Sequence, residues 1–348
     1  MFFASDNSGP VPPQVLEALA RANDGHVAGY GDDALTRDVT ERLRALFEAP
    51  EAAVYLVPTG TAANVLALAT LCPPYATVFC SPVAHIHEDE CNAPEFFTGG
   101  AKLTLVGNSD RMTPDALRAA IEAEESRGVH GPERGPVSIT QLTERGNVYS
   151  LDEIRALADV AHDYGLPVHL DGARFANAAV KLGATPAEMS WKAGVDVCVF
   201  GGTKNGLMGV EAVLIFDPEK ARGFERRRKR GALLFSKHRY LAAQMDAYLQ
   251  DDLWRDLAER ANARCDQLVQ GLKGLGLTVA NDRHANIVFF EMSRAAHRKV
   301  QAAGAVYSLW GAAEGPDDAP ALARLVCDWS VTPEAVTAFL DTVADAIA

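Results

Sequence analysis

Two charged residues, each at the end of an apolar run, are the first candidates for chemistry. Pro167-Val168-His169-Leu170 ends on Asp171-Gly172-Ala173-Arg174, and Val195-Asp196-Val197-Cys198-Val199-Phe200 leads into Gly201-Gly202-Thr203-Lys204-Asn205-Gly206. Runs this short and rich in β-branched residues read as buried parallel strands. In an open α/β sheet, ligands bind in the crevice beyond the carboxyl ends of the strands. The pattern therefore aims one carboxylate and one amine into one crevice. A lysine with restricted hydration is a nucleophilic amine able to form a Schiff base. An aspartate facing a pyridine nitrogen keeps that nitrogen protonated and the ring an electron sink. Taken singly, Lys204 reads as a surface lysine after a strand, and Asp171 as the cap of a helix starting near Ala173. Taken together, with glycines around the lysine, they point to pyridoxal phosphate.

Other residues could complete such a site. Ala53-Val54-Tyr55-Leu56-Val57 reads as a strand, followed by Pro58-Thr59-Gly60-Thr61-Ala62-Ala63-Asn64 and an apolar helix. A strand, a small-residue turn and a helix start gather free N–H groups and a positive dipole end, which makes Gly60 and Thr61 a phosphate cradle. The same residues also read as an ordinary helix cap by Thr59 or Thr61. His85 follows the strand at 77–80, where it either lies flat on an aromatic cofactor or is simply solvated; His87 and Asp89 carry less weight. Tyr30, in the turn Gly29-Tyr30-Gly31-Asp32-Asp33, is either a ring-binding group or a surface aromatic. A cofactor phosphate carries about two negative charges, whereas a helix start offsets only about half a charge. The motifs around Gly60 and Thr203 offer no cation besides Lys204, so a further one is expected. Lys229 and Lys237 flank Gly231, where the helical pattern breaks. They are either carried across to a neighbouring subunit or solvated.

The elements that must position these residues alternate strand with helix. Helices are expected at 33–48, 114–126 and 151–164, and strands at 102–106 and 137–142, the last ending at Thr143-Glu144-Arg145-Gly146. Residues 210–216 read as a further strand, antiparallel at short range, and 218–275 as a long, charged helical stretch with a basic run at 225–230. Beyond Gly276, short strands (286–291, 306–310, 323–328) alternate with helices at 294–303 and from 333 to the end. Repeated strand–helix units with short links predict a doubly wound sheet. The fold class is α/β: a mostly parallel seven-stranded sheet with helices on both faces over 1–250, including an N-terminal arm, and a small α+β domain over 251–348.

Composition narrows the classes. The 348 residues are 48% hydrophobic and 23% charged, as in globular proteins. A net charge of -13, from 33 basic and 46 acidic residues, argues against a nucleic-acid binder. The six cysteines form no C-x-x-C pair, and Cys80, Cys198 and Cys327 sit in strand-like runs as small core residues. A reducing compartment without a zinc site is expected. The start has no signal-peptide pattern and no run reaches membrane-spanning length, so the expected location is the cytoplasm, with no membrane partner.

With these motifs in order, the chain resembles the low-specificity L-threonine aldolases, pyridoxal-phosphate enzymes of the aspartate-aminotransferase fold (fold type I) related to the β-eliminating lyases. The matching motifs are Ser5-Asp6-Asn7, Tyr30-Gly31-Asp32-Asp33, Thr59-Gly60-Thr61-Ala62-Ala63-Asn64, Ala84-His85, His169-Leu170-Asp171-Gly172-Ala173-Arg174, Gly202-Thr203-Lys204 and Arg324-Leu325-Val326. The resemblance implies that Lys204 holds the cofactor covalently, Asp171 pairs with the pyridine nitrogen, and His85 stacks on the ring. It places the phosphate on Gly60 and Thr61, with Thr203 and Arg174 also against the cofactor. Ser5, Arg174 and Arg324 would hold the substrate carboxylate. One departure stands out: many members carry Thr-His-Asn-Gly where this chain has Thr143-Glu144-Arg145-Gly146, so Glu144 replaces a histidine that helps hold the substrate hydroxyl. The implied reaction is cleavage of β-hydroxy-α-amino acids to glycine and an aldehyde, with His85 the first candidate base beside a water near Glu144 or the cofactor phosphate. A β-eliminating lyase or a racemase on the same cofactor is the alternative. The resemblance further implies a homodimer or homotetramer with shared sites.

Overall fold

The computed structural model describes residues 1–124, 126–281, 283–311 and 314–348. Position 125, inside the expected helix at 114–126, lies outside the described residues. Seven strands form the main sheet: β1 Ala53–Val57, β2 Ala76–Cys80, β3 Lys102–Leu105, β4 Glu133–Thr140, β5 Val168–Asp171, β6 Val197–Gly201 and β7 Glu211–Ile215. Their order is β1-β7-β6-β5-β4-β2-β3. The pairs from β6 across to β3 are parallel, whereas β7 runs antiparallel to both β6 and β1. Strands β2, β5, β6 and β7 are buried along their whole length, because helices cover both faces. The apolar runs around 168 and 197 are continuous rather than alternating for this reason.

A second sheet, β10-β11-β9-β8, is antiparallel throughout and consists of β8 Thr278–Val279, β9 Ile287–Ser293, β10 Ser308–Trp310 and β11 Pro320–Val326. The helices Leu253–Gly274 and Pro333–Ile347 bury Leu268, Leu272, Phe339 and Val343 against it. The N-terminus joins this second core. Phe3 is fully buried there, its N–H donates to the Val306 carbonyl at 2.8 Å, and its carbonyl accepts from Val326 N–H at 2.8 Å.

The structure corrects the reading in two places. Residues 218–275 are not one helical stretch but the helices Phe224–Arg230, Arg239–Leu249 and Leu253–Gly274, with 3₁₀ turns at Pro218–Ala221 and Gln250–Asp252. The breaks fall at Ala232, next to the expected break at Gly231, and at Asp251 and Asp252, all three with positive φ; aspartate tolerates left-handed backbone, but acids are common within helices and do not by themselves mark a break. The short helices His85–Glu88 and Ala93–Thr98 also escape a periodicity argument, being too brief to show a period. No helix among the described residues is long and apolar enough to cross a membrane.

Candidate active site

Because β1, β2, β5 and β6 run the same way, their carboxyl ends share one edge of the sheet. β7 runs the other way, so its first residue, Glu211, arrives at that same edge. The loops there enclose a cavity of about 330 Å³ lined by Thr59, Gly60 and Thr61 after β1, His85 after β2, Asp171 at the end of β5, Thr203 and Lys204 after β6, and Glu211. A wider depression of about 690 Å³, around the starts of β5 and β6, holds His162, Asp196 and Lys220. There Asp196 is already bonded by His162, Lys220 and the Val168 amide, which makes a closed ion-pair group rather than a reactive one.

Lys204 stands on a short 3₁₀ turn, Thr203–Asn205, that is anchored on both sides. Before it, Gly202 N–H donates to Glu211 Oε2 at 2.7 Å. After it, Asn205 Nδ2 donates to Tyr248 Oη at 2.7 Å and to the Trp254 carbonyl at 2.8 Å, while Tyr248 Oη donates to the Gly201 carbonyl at 3.1 Å. Gly206 closes the turn at φ +105°, where any side chain would be strained and would crowd Pro12. The backbone under the lysine is therefore fixed while its long side chain reaches the cavity.

Opposite it, Asp171 is buried and oriented: Oδ1 accepts from Ala173 N–H and Oδ2 from Asn64 Nδ2, both at 3.0 Å. Asn64 also donates to Glu90 Oε1 at 2.9 Å, and the same oxygen meets His85 Nδ1 at 2.8 Å. A chain of contacts thus runs Asp171–Asn64–Glu90–His85. The bond to Glu90 raises the His85 pKa above its ordinary value against the opposing effect of burial. Burial pushes Glu90 upward as well, and more strongly than the histidine bond pulls it down. With Glu90 ionised, the His85 proton sits on Nδ1 and Nε2 is left as the basic nitrogen.

Beside the cavity lies a second charged group. Arg174 makes a two-pronged pair with Asp6, Nε to Oδ2 at 2.6 Å and Nη2 to Oδ1 at 2.9 Å, with both side chains buried. Asn286 Nδ2 adds a bond to Asp6 Oδ2 at 3.0 Å. The charges of Glu144, Arg174 and Arg324 act on one another. Burial, then repulsion by Arg174, lowers the Arg324 pKa, and its buried Nε has no hydrogen-bond partner.

The family model for beta-eliminating lyases matches residues 3–295. A low specificity L-threonine aldolase of Pseudomonas aeruginosa is 43% identical over 338 residues, covering 96% of this chain and 94% of that one. A second, from a Pseudomonas species, is 41% identical over 330 residues, covering 94% and 92%. The chain belongs to the low-specificity L-threonine aldolase family. A Leishmania major threonine aldolase shares its fold, with a TM-score of 0.92 at 24% identity over 100% of this chain and 99% of that one.

Against the family's expected residues, Lys204, Asp171, His85, Gly60, Thr61 and Thr203 converge on the cavity. Arg174, Arg324 and Glu144 gather next to it, and Ser5, whose Oγ accepts from Asn7 N–H at 3.1 Å, sits one residue from Asp6. Three expected residues are not brought there within one chain. Tyr30 lies in a separate cleft with Arg228 and His238, the Lys229 ammonium stands over its ring at 4.7 Å, and Lys237 is exposed. At the helix start by Gly60, Thr59 Oγ1 accepts from Ala62 N–H at 3.1 Å as a helix cap, and the turn also lines the cavity. Sequence reasoning gave no role to Asp6, Asn64, Glu90 or Glu211. Of these, Asp6 and Asn64 stand within the family motifs without a role of their own, and Glu211 left a local signal, a single acid opening an otherwise apolar strand.

Proposed function

We propose that this chain is a pyridoxal-phosphate-dependent aldehyde-lyase that cleaves L-β-hydroxy-α-amino acids to glycine and an aldehyde and catalyses the reverse addition. L-threonine, L-allo-threonine and β-phenylserine are the substrate candidates. The observation that carries the reading is one cavity walled by an amine, a fixed carboxylate, an imidazole and a helix start. The residues fit the cofactor. The Gly60 and Thr61 amides precede the first intrahelical donor, Ala63 N–H on the Thr59 carbonyl, so they are unsatisfied by the helix itself. A Cβ at Gly60 would meet open space, which leaves room for a phosphate against the backbone. When bound, pyridoxal phosphate supplies the electron sink that takes the electrons of a breaking Cα–Cβ bond.

The chain's own residues do the rest. Gly60, Thr61 and Thr203 hold the phosphate, and Lys204 provides the amine that anchors the cofactor. Asp171, immobilised by Asn64 and the Ala173 amide, keeps a proton on the pyridine nitrogen. His85 lies against the ring, and its Nε2 takes the proton of the substrate hydroxyl while Glu90 stabilises the imidazolium at Nδ1. Arg324 and the part of the Arg174 guanidinium outside its pair with Asp6 bind the substrate carboxylate, with Ser5 alongside. Two adjoining guanidinium groups, one with an unpartnered Nε, make a site short of an anion. Glu144 adjoins these arginines and selects among substrates through the group on Cβ.

In this reading the site is completed by a second subunit in a homodimer or homotetramer: Tyr30, Lys229 and Lys237, remote from their own cavity, serve a neighbour's. The division of the chain into 1–250 and 251–348 places the cofactor residues on the first unit and Arg324 on the second. A cytoplasmic location is supported by six free thiols, five of them buried. The test is product analysis with the three candidate substrates. Glycine and the matching aldehyde in equal amounts are expected. A keto acid with ammonium, or an inverted amino acid without glycine, would move the chain to the lyase or racemase alternative.

A further inference from the structure

Glu211 is a carboxylate that the fold itself does not require. It is 4% exposed and opens a strand whose other residues are all apolar, Ala212-Val213-Leu214-Ile215. In the sheet it pairs with Gly201 on one side and Val57 on the other. It therefore sits between the exit of β6 into the Lys204 turn and the exit of β1 into the Gly60 helix start. A buried carboxylate is costly unless something uses its charge, and the bond it accepts from Gly202 N–H could be accepted as well by a neutral amide. Burial pushes its pKa up to about 7, with hydrogen bonds from the lysine turn and the charge of Lys204 opposing the rise. Lys204 acts electrostatically on Asp6, His85 and Glu211, and Asp171 lines the same cavity; Tyr248 also feels Glu211. Asp6 is held by Arg174 and Asn286, and Asp171 by Asn64. Glu211 bonds the backbone of Gly202 instead.

We propose that Glu211 is a positioning residue for Lys204, whose carboxylate both anchors the turn beneath the lysine and balances its ammonium form when the amine is free. The pair has two forms of equal net charge, ammonium with carboxylate and neutral amine with carboxylic acid. They hold one proton between them, so engaging or releasing the amine leaves no unbalanced charge in the buried wall. The role rests on Lys204 being the cofactor lysine, but the pairing itself is testable without cofactor.

The experiment uses the full-length, cofactor-free protein. Carbamylation of Lys204 by cyanate, followed by peptide mass spectrometry, reads the neutral fraction of its amine. Glu211→Gln keeps an oxygen for Gly202 N–H and removes the charge. It is expected to speed carbamylation at neutral pH roughly tenfold or more, since an adjacent opposite charge shifts a titration by about one to three pH units; Glu211→Asp should restore much of the protection. A second measurement needs no variant at Glu211. The infrared carboxylic-acid band of Glu211, assigned by site-selective isotope labelling at that one position, should persist to higher pH in Lys204→Ala than in the natural chain. A carbamylation rate within twofold of the natural chain's, or a band that titrates identically with and without Lys204, would overturn the pairing. If Glu211→Gln does not fold, the infrared comparison alone decides. Attachment of the cofactor to Lys204 is read separately, by borohydride trapping and peptide mapping of the loaded enzyme, so the two readings fail independently.

Discussion

Replacing Asp6 by asparagine keeps the side-chain shape and removes one charge from a buried pair. In the native chain the carboxylate takes two bonds from Arg174 and one from Asn286, at 2.6, 2.9 and 3.0 Å, with no exposure of the Asp6 side chain. Asp6→Asn leaves the Arg174 guanidinium buried without its counter-ion. Breaking a buried pair by removing one partner costs about 3–5 kcal/mol, most of it the penalty of the uncompensated charge. The pair also ties the N-terminal arm to the turn after β5 and, through Asn286, to the second sheet, so the loss should be felt as loosening between these parts. Urea unfolding of Asp6→Asn and of the double variant Asp6→Leu, Arg174→Met measures it. The double variant should recover a substantial part of the loss, because the stranded charge is gone. The pH dependence has a definite sign. Burial raises the Asp6 pKa, but Arg174, Lys204 and Asn286 together outweigh it and hold the value below 3.8. A depressed carboxylate contributes stability that is present above its unfolded value and is lost as pH falls through the folded one. The gap between the native chain and Asp6→Asn should therefore be flat around neutrality and shrink only below about pH 4. A cost under about 1 kcal/mol, or a double variant no more stable than Asp6→Asn, would refute the reasoning.

Four further outcomes are expected. Asp171→Asn should leave the cofactor bound but reduce turnover by several powers of ten, because a neutral pyridine is a poor electron sink; an unchanged rate would remove Asp171 from that role. Glu90→Gln should lower the titration of His85 and move the acidic limb of the activity profile, where His85 must lose its proton to act as base, to lower pH. Since the folded value of His85 is raised above 6.5, its contribution to stability is full below that pH and is lost as pH rises through the folded value, and NMR of the His85 ring reads both effects. Arg324→Lys should raise the substrate constant strongly with little change in fold, because lysine lacks the planar fork that grips a carboxylate; unaltered amino-acid affinity would make Arg324 structural. Mixing inactive Lys204→Ala chains with chains carrying Lys229→Ala and Lys237→Ala should restore partial activity in hybrid oligomers. No recovery after proven subunit exchange would remove the shared site.

The residues legible in the sequence are those whose own neighbours reveal them. Asp171 and Lys204 end unbroken apolar runs, and such runs are what a strand buried on both faces must look like. Once strand–helix alternation gives parallel strands, the positions of both charges at one edge follow. Asn64 and Asp6 carry no comparable mark, because what defines them is a partner far along the chain; Glu90 meets His85 only five residues away, but it is one of three acids at 88–90 and ends no apolar run. Asn64 meets Asp171 across 107 residues, and Asp6 meets Arg174 across 168. A hydrogen bond of that kind exists only after the sheet has brought its strands together, and no local pattern encodes it. Tyr30 and Lys229 were read as separate candidates and are found stacked on each other, for the same reason.

Glu211 is the intermediate case and shows where pattern reading stops. The strand was visible, and so was its antiparallel direction, which follows from the short connection after Lys204. Those two facts already place its first residue at the carboxyl edge of the parallel strands, opposite the end of β6. The acid at the start of an antiparallel β7 therefore belongs to the wall of the site. The reversed strand thus gives the site a fifth wall. A parallel strand in that position would have sent Glu211 to the opposite edge, and the lysine turn would have lost its buried acceptor.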